Sequence, residues 1–163
     1  MNKYGSDIYR YYGKNKLSVR DKINEETGLK YILLYRRINN TKSFFRRIIL
    51  KLKLRMLQNK YNIVISEKVK IGKGLYLGHA RNIVINPDTI IGDNCNIQNG
   101  VVIGQENRGK RKGTPRIGNE VWIGANAVIV GSICIGDDVL IAPVSFVNFD
   151  VPSLQLWLET QLK

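Results

Sequence analysis

The chain has 163 residues, 44% of them hydrophobic, and carries 26 Lys/Arg against 13 Asp/Glu for a formal net charge of +13. That length suits one compact domain with an appendage, at roughly 150 residues per domain, and no stretch approaches the roughly 18 uncharged residues of a membrane span. One histidine and two cysteines leave a three-histidine metal site short of ligands and offer no disulfide framework.

The charge is uneven. Residues 1–60 hold 16 Lys/Arg against 4 Asp/Glu, whereas the remainder holds 10 against 9. The segment contains no recognised nucleic-acid-binding motif, so nucleic acid is not expected as a partner. Nor does the start, MNKYGSDIYRYYG, contain the apolar run of a secretion signal, so a reducing cytoplasm is the expected compartment.

Residues 1–60 read as a basic α-helical arm. An aromatic and basic first segment predicts a short helix ended by Gly13, and Ser18 is placed to cap a helix running to Glu25. Gly28 is expected to break it. The stretch LKYILLYRRI follows, with Leu29, Ile32, Leu33 and Ile38 on one face. Asn39, Asn40 and Thr41 read as a turn and N-cap before a long helix to about Gln58. Its apolar stripe is expected at Phe45, Ile48, Ile49, Leu52 and Met56, opposite Arg46, Arg47, Lys51, Lys53 and Arg55. The favoured reading packs that stripe on a neighbour and leaves the basic face solvated. The sharper one lays the arm against an anionic membrane surface, a protein peripheral to the inner face of the membrane.

Residues 61–152 follow one rhythm. A large aliphatic residue recurs every sixth position at Ile85, Ile91, Ile97 and Ile103, then again at Ile117, Ile123, Ile129, Ile135, Ile141 and Val147. Small residues follow it, as at Gly92, Gly104, Gly118, Gly124, Gly136 and Ala142, and are expected to permit the bend after each short strand. Four places on comes a second small or apolar residue, among them Cys95, Val101, Val121, Ala127, Ile133, Val139 and Ser145. Both sets point inward in extended chain, which predicts an all-β, hexapeptide-repeat parallel β-helix. Such stacked coils bury little on their sides, so self-association is expected. Two interruptions break the rhythm. Leu77 and Ile85 are eight apart, a bulge just after His79, the only histidine. Ile103 and Ile117 are fourteen apart, a Gly-rich basic loop extruded at 105–116.

The stretch GLYLGHARNIVINPDTIIGDNCNIQNGVVIGQ, continued after the loop by GTPRIGNEVWIGANAVIVGSICIGDDVLIAP, resembles the serine acetyltransferase-like branch of the hexapeptide acyltransferases. It looks most similar to members that acetylate bacterial polysaccharide. The resemblance implies a left-handed coil, a homotrimer with active sites between subunits, acetyl-CoA as donor and His79 as the catalytic histidine.

The chemistry agrees. An alcohol needs a general base before it attacks a thioester, and imidazole, with an ordinary pKa near 6.5, suits that task. The oxyanion needs a donor such as a backbone N–H. A covalent acyl-cysteine route is disfavoured, because Cys95 is expected to point inward and Cys134 outward with no adjacent base, so direct transfer is expected. Lys110, Arg111, Lys112 and Arg116 are candidates for the CoA phosphates. Gly124, Ala125, Ala142 and Pro143 match family positions along the pantetheine arm, and Trp122 faces outward toward a ligand or a neighbouring subunit.

In the serine-specific enzymes an aspartate precedes the catalytic histidine; Gly78 stands there in this chain. Their second histidine corresponds to Thr114, and the aspartate that pairs with the catalytic histidine to Val64. These departures favour a sugar hydroxyl of cell-surface polysaccharide synthesis as acceptor, with serine and a catalytically impaired trimeric scaffold as alternatives. Asn82, Asn86 and Thr114 are the candidate contacts to the acceptor or to the imidazole. A γ-class carbonic anhydrase, which shares the fold, needs more histidines for its zinc. The tail, 153–163, replaces the family's Gly-Asn-Pro-Ala-Lys ending with LQLWLETQLK. A back-translation of that string read two bases later yields Thr-Val-Val-Val-Gly-Asn-Pro-Ala-Lys, so a frameshift origin is the expectation, with an amphipathic end helix as the alternative.

Overall fold

A computed structural model describes residues 4–23, 25–154 and 156–157 of the chain. Among the described residues, fourteen short strands stack in three parallel sheets. The first sheet holds β1 (Ile63–Ile65), β4 (Ile83–Ile85), β7 (Val102–Gly104), β10 (Val128–Val130) and β13 (Phe146–Val147). A second holds β2 (Lys70–Ile71), β5 (Ile90–Ile91), β8 (Arg116–Ile117) and β11 (Cys134–Ile135). The third holds β3 (Tyr76–Leu77), β6 (Asn96–Ile97), β9 (Trp122–Ile123), β12 (Leu140–Ile141) and β14 (Leu156–Trp157). Each coil of chain contributes one strand to each sheet in turn, giving a left-handed, three-sided parallel β-helix.

The six-residue period puts like on like. Ile65, Ile85, Ile103, Ile129 and Val147 pair in register along one sheet, and Leu77, Ile97, Ile123 and Ile141 along another, all buried. Adjacent strands sit about 4.8 Å apart, so each aliphatic side chain rests on its counterpart one coil away. Burying each contributes about 1.5–3 kcal/mol. The second inward set is buried as its position requires: Cys95, Val101, Val121, Ala127, Ile133, Val139 and Ser145.

The glycines after the aliphatic residues have a different reason from the one the repeat suggests. Gly92 lacks a left-handed φ; what it needs is room, because a Cβ on it would lie 2.5 Å from the Gly118 carbonyl oxygen of the next coil. The left-handed corners fall two residues later, on Asn94, Glu120 and Asp138.

The described residues of the arm form α1 (Gly5–Tyr12), α2 (Val19–Ile23), α3 (Thr27–Asn40) and α4 (Phe44–Tyr61). Gly13 ends α1 in the left-handed conformation. At α2, the Ser18 and Asp21 side chains each bond the other's backbone N–H. Three expectations are corrected. Gly28 does not break a helix but lies in the first turn of α3, because a Cβ there would lie 2.3 Å from the Leu77 carbonyl oxygen. Asn39 and Asn40 remain helical, and the N-cap of α4 is Ser43. The stripe Phe45, Ile48, Ile49, Leu52 and Met56 is exposed, while Leu50, Leu54, Leu57 and Tyr61 pack inward. The helix carries two apolar stripes, and the one with spacing 4, 3, 4 meets the coil.

The arm is tied to the first coil by polar groups as well as packing. Asp7, 2% exposed, accepts from Arg36 and from the Gly74 and Leu75 N–H groups. The Tyr31 hydroxyl donates to the Ile65 carbonyl at 2.7 Å, and burial pushes its pKa up to about 12. No helix among the described residues is long and apolar enough to cross a membrane.

Candidate active site

Three of the prism's edges carry the connections between strands, and His79 belongs to the edge joining the third sheet to the first. The connections there stack directly. Gly100 N–H donates to the Arg81 carbonyl at 3.0 Å, Asn126 to Asn99 at 2.9 Å, and Val144 to Ala125 at 2.8 Å. In register, Leu77 to Ile83 spans six positions where Ile97 to Val101 spans four, so two residues are extra. That insertion turns His79 outward, exposed and at φ 48°, a left-handed conformation uncommon for residues other than glycine. Local strain of this kind gathers at functional sites.

The imidazole opens into a cleft of about 790 Å³ between the first coil and the arm. The coil side provides Leu77, Ala80, Arg81, Asn82 and Asn99; the arm side provides Glu25, Glu26, Thr27 and Gly28. Tyr76 completes the lining, its ring 4.6 Å from that of Tyr11. The bare Cα of Gly28 permits this approach of α3 to the end of β3. Arg81 lies over the Tyr61 ring at 5.3 Å. The Glu25 carboxyl is pushed up by burial, with Lys30 and Arg37 opposing that effect.

Of the three residues proposed from sequence to meet the acceptor, the structure brings only Asn82 to His79, with its side-chain carbonyl taken by Asn62. Asn86 bonds Gln105 at the foot of the extruded loop, and the Thr114 hydroxyl donates to the Asp88 carbonyl. Both lie on the other edge of the first sheet, away from the cleft, because six residues along the coil carry the chain to the next side of the prism. Glu25, Glu26, Arg81 and Asn99 were missed. The bulge held a signal for Arg81, but nothing local announces two glutamates some 50 residues upstream of the histidine.

Gly124, Ala125, Ala142 and Pro143 come together on the His79 edge, two and three coils further on. A Cβ on Gly124 would lie 2.4 Å from the Pro143 nitrogen, so the two backbones are in contact there. At about 4.8 Å per coil, this bare ledge begins about 10 Å from the histidine. Trp122 is half-buried on the outward face of β9, in register with Asn96 and Leu140.

The loop 105–116 folds back as a hairpin, with Glu106 and Gly113 exchanging two backbone bonds of 3.0 Å. It rests on the next coil, where Ser132 N–H donates to the Arg111 carbonyl. Lys110, Arg111, Lys112 and Arg116 are all exposed. They leave the prism at the edge between the first and second sheets, so one chain does not bring them to its own His79. Between those two edges lies the first sheet, whose outward column includes exposed Val64, Val84 and Phe146.

Cys95 is fully buried, and burial raises its thiol to about 11; Cys134 is exposed. Neither is among the residues lining the histidine cleft. Among the described residues no group of three or more His, Cys, Asp or Glu could hold a metal.

The chain is similar in sequence and fold to known hexapeptide-repeat proteins. The bacterial transferase hexapeptide family (six repeats) matches residues 114–148, and the hexapeptide repeat of succinyl-transferase matches residues 88–105. A serine acetyltransferase of Helicobacter pylori is 42% identical over 91 residues, covering 56% of this chain and 53% of that protein. Serine acetyltransferase 1, chloroplastic, of Arabidopsis thaliana is 38% identical over 110 residues, 66% of this chain and 34% of that one. The chain therefore spans about half or less of the curated relatives it matches. Among solved structures, soybean serine acetyltransferase apoenzyme superposes with a TM-score of 0.73 at 27% identity, covering 91% of this chain and 61% of that one. The Neisseria gonorrhoeae serine acetyltransferase in complex with serine gives 0.72 at 28% identity, covering 91% and 62%.

Proposed function

We propose, from the premise that this chain belongs to the hexapeptide-repeat acyltransferase family, that it is an O-acetyltransferase moving acetyl from acetyl-CoA to the hydroxyl of L-serine. The observation that carries the proposal is the exposed imidazole of His79, which faces a cleft on the same edge as the bare ledge Gly124, Ala125, Ala142 and Pro143.

His79 serves as general base. It takes the proton of the acceptor hydroxyl as that oxygen attacks, and returns the proton to the departing thiol, so no net proton is consumed. CoA supplies the acetyl group as a thioester. The ledge leaves room for its extended arm, and Lys110, Arg111, Lys112 and Arg116 offer cations for its phosphates. Because those cations leave from another edge, a neighbouring copy has to present them. The apolar outward column of Val64, Val84 and Phe146 suits a homotrimer in which each site lies between two subunits.

The acceptor expectation changes. Gly78, Val64 and Thr114 argued for a sugar, but the relatives at 42% and 38% identity are serine acetyltransferases, and they favour serine. The cleft supplies opposite charges of its own, from Glu26 and Arg81.

Thiol release by the purified protein, with serine and a panel of sugars as acceptors, tests the assignment. Turnover with serine that His79→Ala lowers by about 10²-fold or more supports it; equal turnover in both proteins removes His79 from the mechanism. Two expectations stay with this proposal. The exposed Phe44, Phe45, Ile48, Ile49 and Leu52, set among Arg46, Arg47, Lys51 and Lys53, support contact of α4 with an anionic membrane surface. Sedimentation with anionic against neutral vesicles tests that contact, and equal binding to both refutes it. In the tail, Leu154 and Leu156–Trp157, the latter paired with β12, are the described part of LQLWLETQLK, whose Gln155 and residues 158–163 lie outside it. Sequencing the gene in both frames tests the frameshift origin.

A further inference from the structure

Two opposite charges in the His79 cleft have no ion-pair partner among the described residues. Glu26 is the N-cap of α3, yet its side chain makes no capping bond. It forms no salt bridge with a described residue, unlike Asp7, Asp21 and Glu67. Its neighbour Glu25 differs, since Lys30 and Arg37 lie near enough to act on its titration. Glu26 instead acts on Tyr76 in the cleft lining and on Tyr11, whose ring lies against it: burial raises both hydroxyls, and the Glu26 charge raises them further.

On the coil side Arg81 stands two residues beyond His79. It too lacks an acidic partner among the described residues, and its guanidinium is held over the face of Tyr61. The stacking restricts a long side chain without satisfying its five N–H donors. The cleft thus presents an exposed carboxylate from the arm, an exposed guanidinium from the coil, and the imidazole beside the latter. A neutral acceptor would leave both charges unused, whereas a small zwitterion matches each with its opposite.

We infer that Glu26 and Arg81 are the residues that select the acceptor, Glu26 by binding the ammonium and Arg81 the carboxylate of a free hydroxy-α-amino acid whose hydroxyl faces His79. The inference rests on the acetyltransferase reading and adds to it the residues that recognise the acceptor. They come from positions other than Gly78, Val64 and Thr114, none of which carries a charge. One consequence is that acceptor recognition depends on the docking of the arm, since Glu26 belongs to it.

The test is steady-state acetyl transfer by the full chain, as wild type, Glu26→Gln and Arg81→Gln, with three acceptors: L-serine, ethanolamine, which lacks the carboxylate, and 3-hydroxypropionate, which lacks the ammonium. Each lost charge-assisted contact is expected to raise KM for serine about 10-fold or more, with a smaller change in kcat. The Arg81→Gln penalty should shrink below about 3-fold with ethanolamine, and the Glu26→Gln penalty likewise with 3-hydroxypropionate. Arg81→Lys should recover part of the loss with serine. Both side chains are exposed, so the variants should melt with the wild type; thermal unfolding checks that. Wild type that acetylates serine, with KM unchanged within about 2-fold in both variants, overturns the inference and leaves the function standing. Penalties equal across all three acceptors also overturn it. Wild type that transfers acetyl only to a neutral sugar overturns the inference together with the choice of serine, and absence of any transfer overturns the function itself.

Discussion

Replacing Asp7 with asparagine should destabilise the protein by about 3 kcal/mol. The Asp7 carboxylate, 2% exposed, accepts four bonds: 3.1 Å each from Nε and Nη2 of Arg36, 3.0 Å from Gly74 N–H and 3.2 Å from Leu75 N–H. Both backbone donors and Nη2 use Oδ1, while Nε uses Oδ2. Asparagine has nearly the same shape, so little cavity forms. Whichever way its amide turns, an NH2 group meets an N–H donor. Removing one partner of a buried ion pair costs about 3–5 kcal/mol. The lower end applies here, because the Arg36 side chain is 14% exposed and still donates to the Ile71 and Gly72 carbonyls. Urea unfolding followed by circular dichroism, at one fixed protein concentration, reads the effect. With m of about 1–3 kcal/mol/M, the midpoint should fall by about 1–3 M. The pair Asp7→Leu with Arg36→Met should lose less than the two single changes summed, since it leaves no unpaired charge. A midpoint within about 0.3 M of wild type for Asp7→Asn would refute the claim that this pair anchors the arm.

Gly92→Ala should cost about 3 kcal/mol, because its Cβ would lie 2.5 Å from the Gly118 carbonyl oxygen, a backbone atom that cannot swing aside. An unchanged urea midpoint would show that the coils tolerate a wider spacing. Val144 is exposed and β-branched at φ 63°, so Val144→Asn should gain about 1 kcal/mol and raise Tm by about 2–4 °C in calorimetry. A lower Tm would mean that the corner carries no strain. At neutral pH an alkylating reagent should modify Cys134 and spare Cys95. Burial raises the folded-state Cys95 thiol from 9.0 to about 11, so its stabilising share is complete below pH 9 and is lost as pH rises through 11. The urea stability of Cys95→Ala should therefore fall less than that of wild type between those two pH values, and parallel declines would contradict the assignment.

The sequence by itself determined the coil. Its six-residue period names every inward residue, since alternation along a strand leaves one register that buries Ile97 with Val101 and Ile123 with Ala127. It also located the site's histidine, because two residues too many between Leu77 and Ile83 must leave the wall somewhere, and His79 sits in that excess. What a period cannot encode is contact between segments that do not share it. Residues Phe44–Tyr61 hold two apolar stripes of similar strength, and only docking on the coil chose Leu50, Leu54 and Leu57 over Phe45, Ile48 and Leu52. The same docking, fixed by Asp7 with Arg36 and by the missing side chain of Gly28, brought Glu26 to His79. Local repeat geometry is set by hydrogen bonds and burial between adjacent coils, so it is written residue by residue. The arm's position is a balance among long-range contacts, and only the assembled structure resolves it.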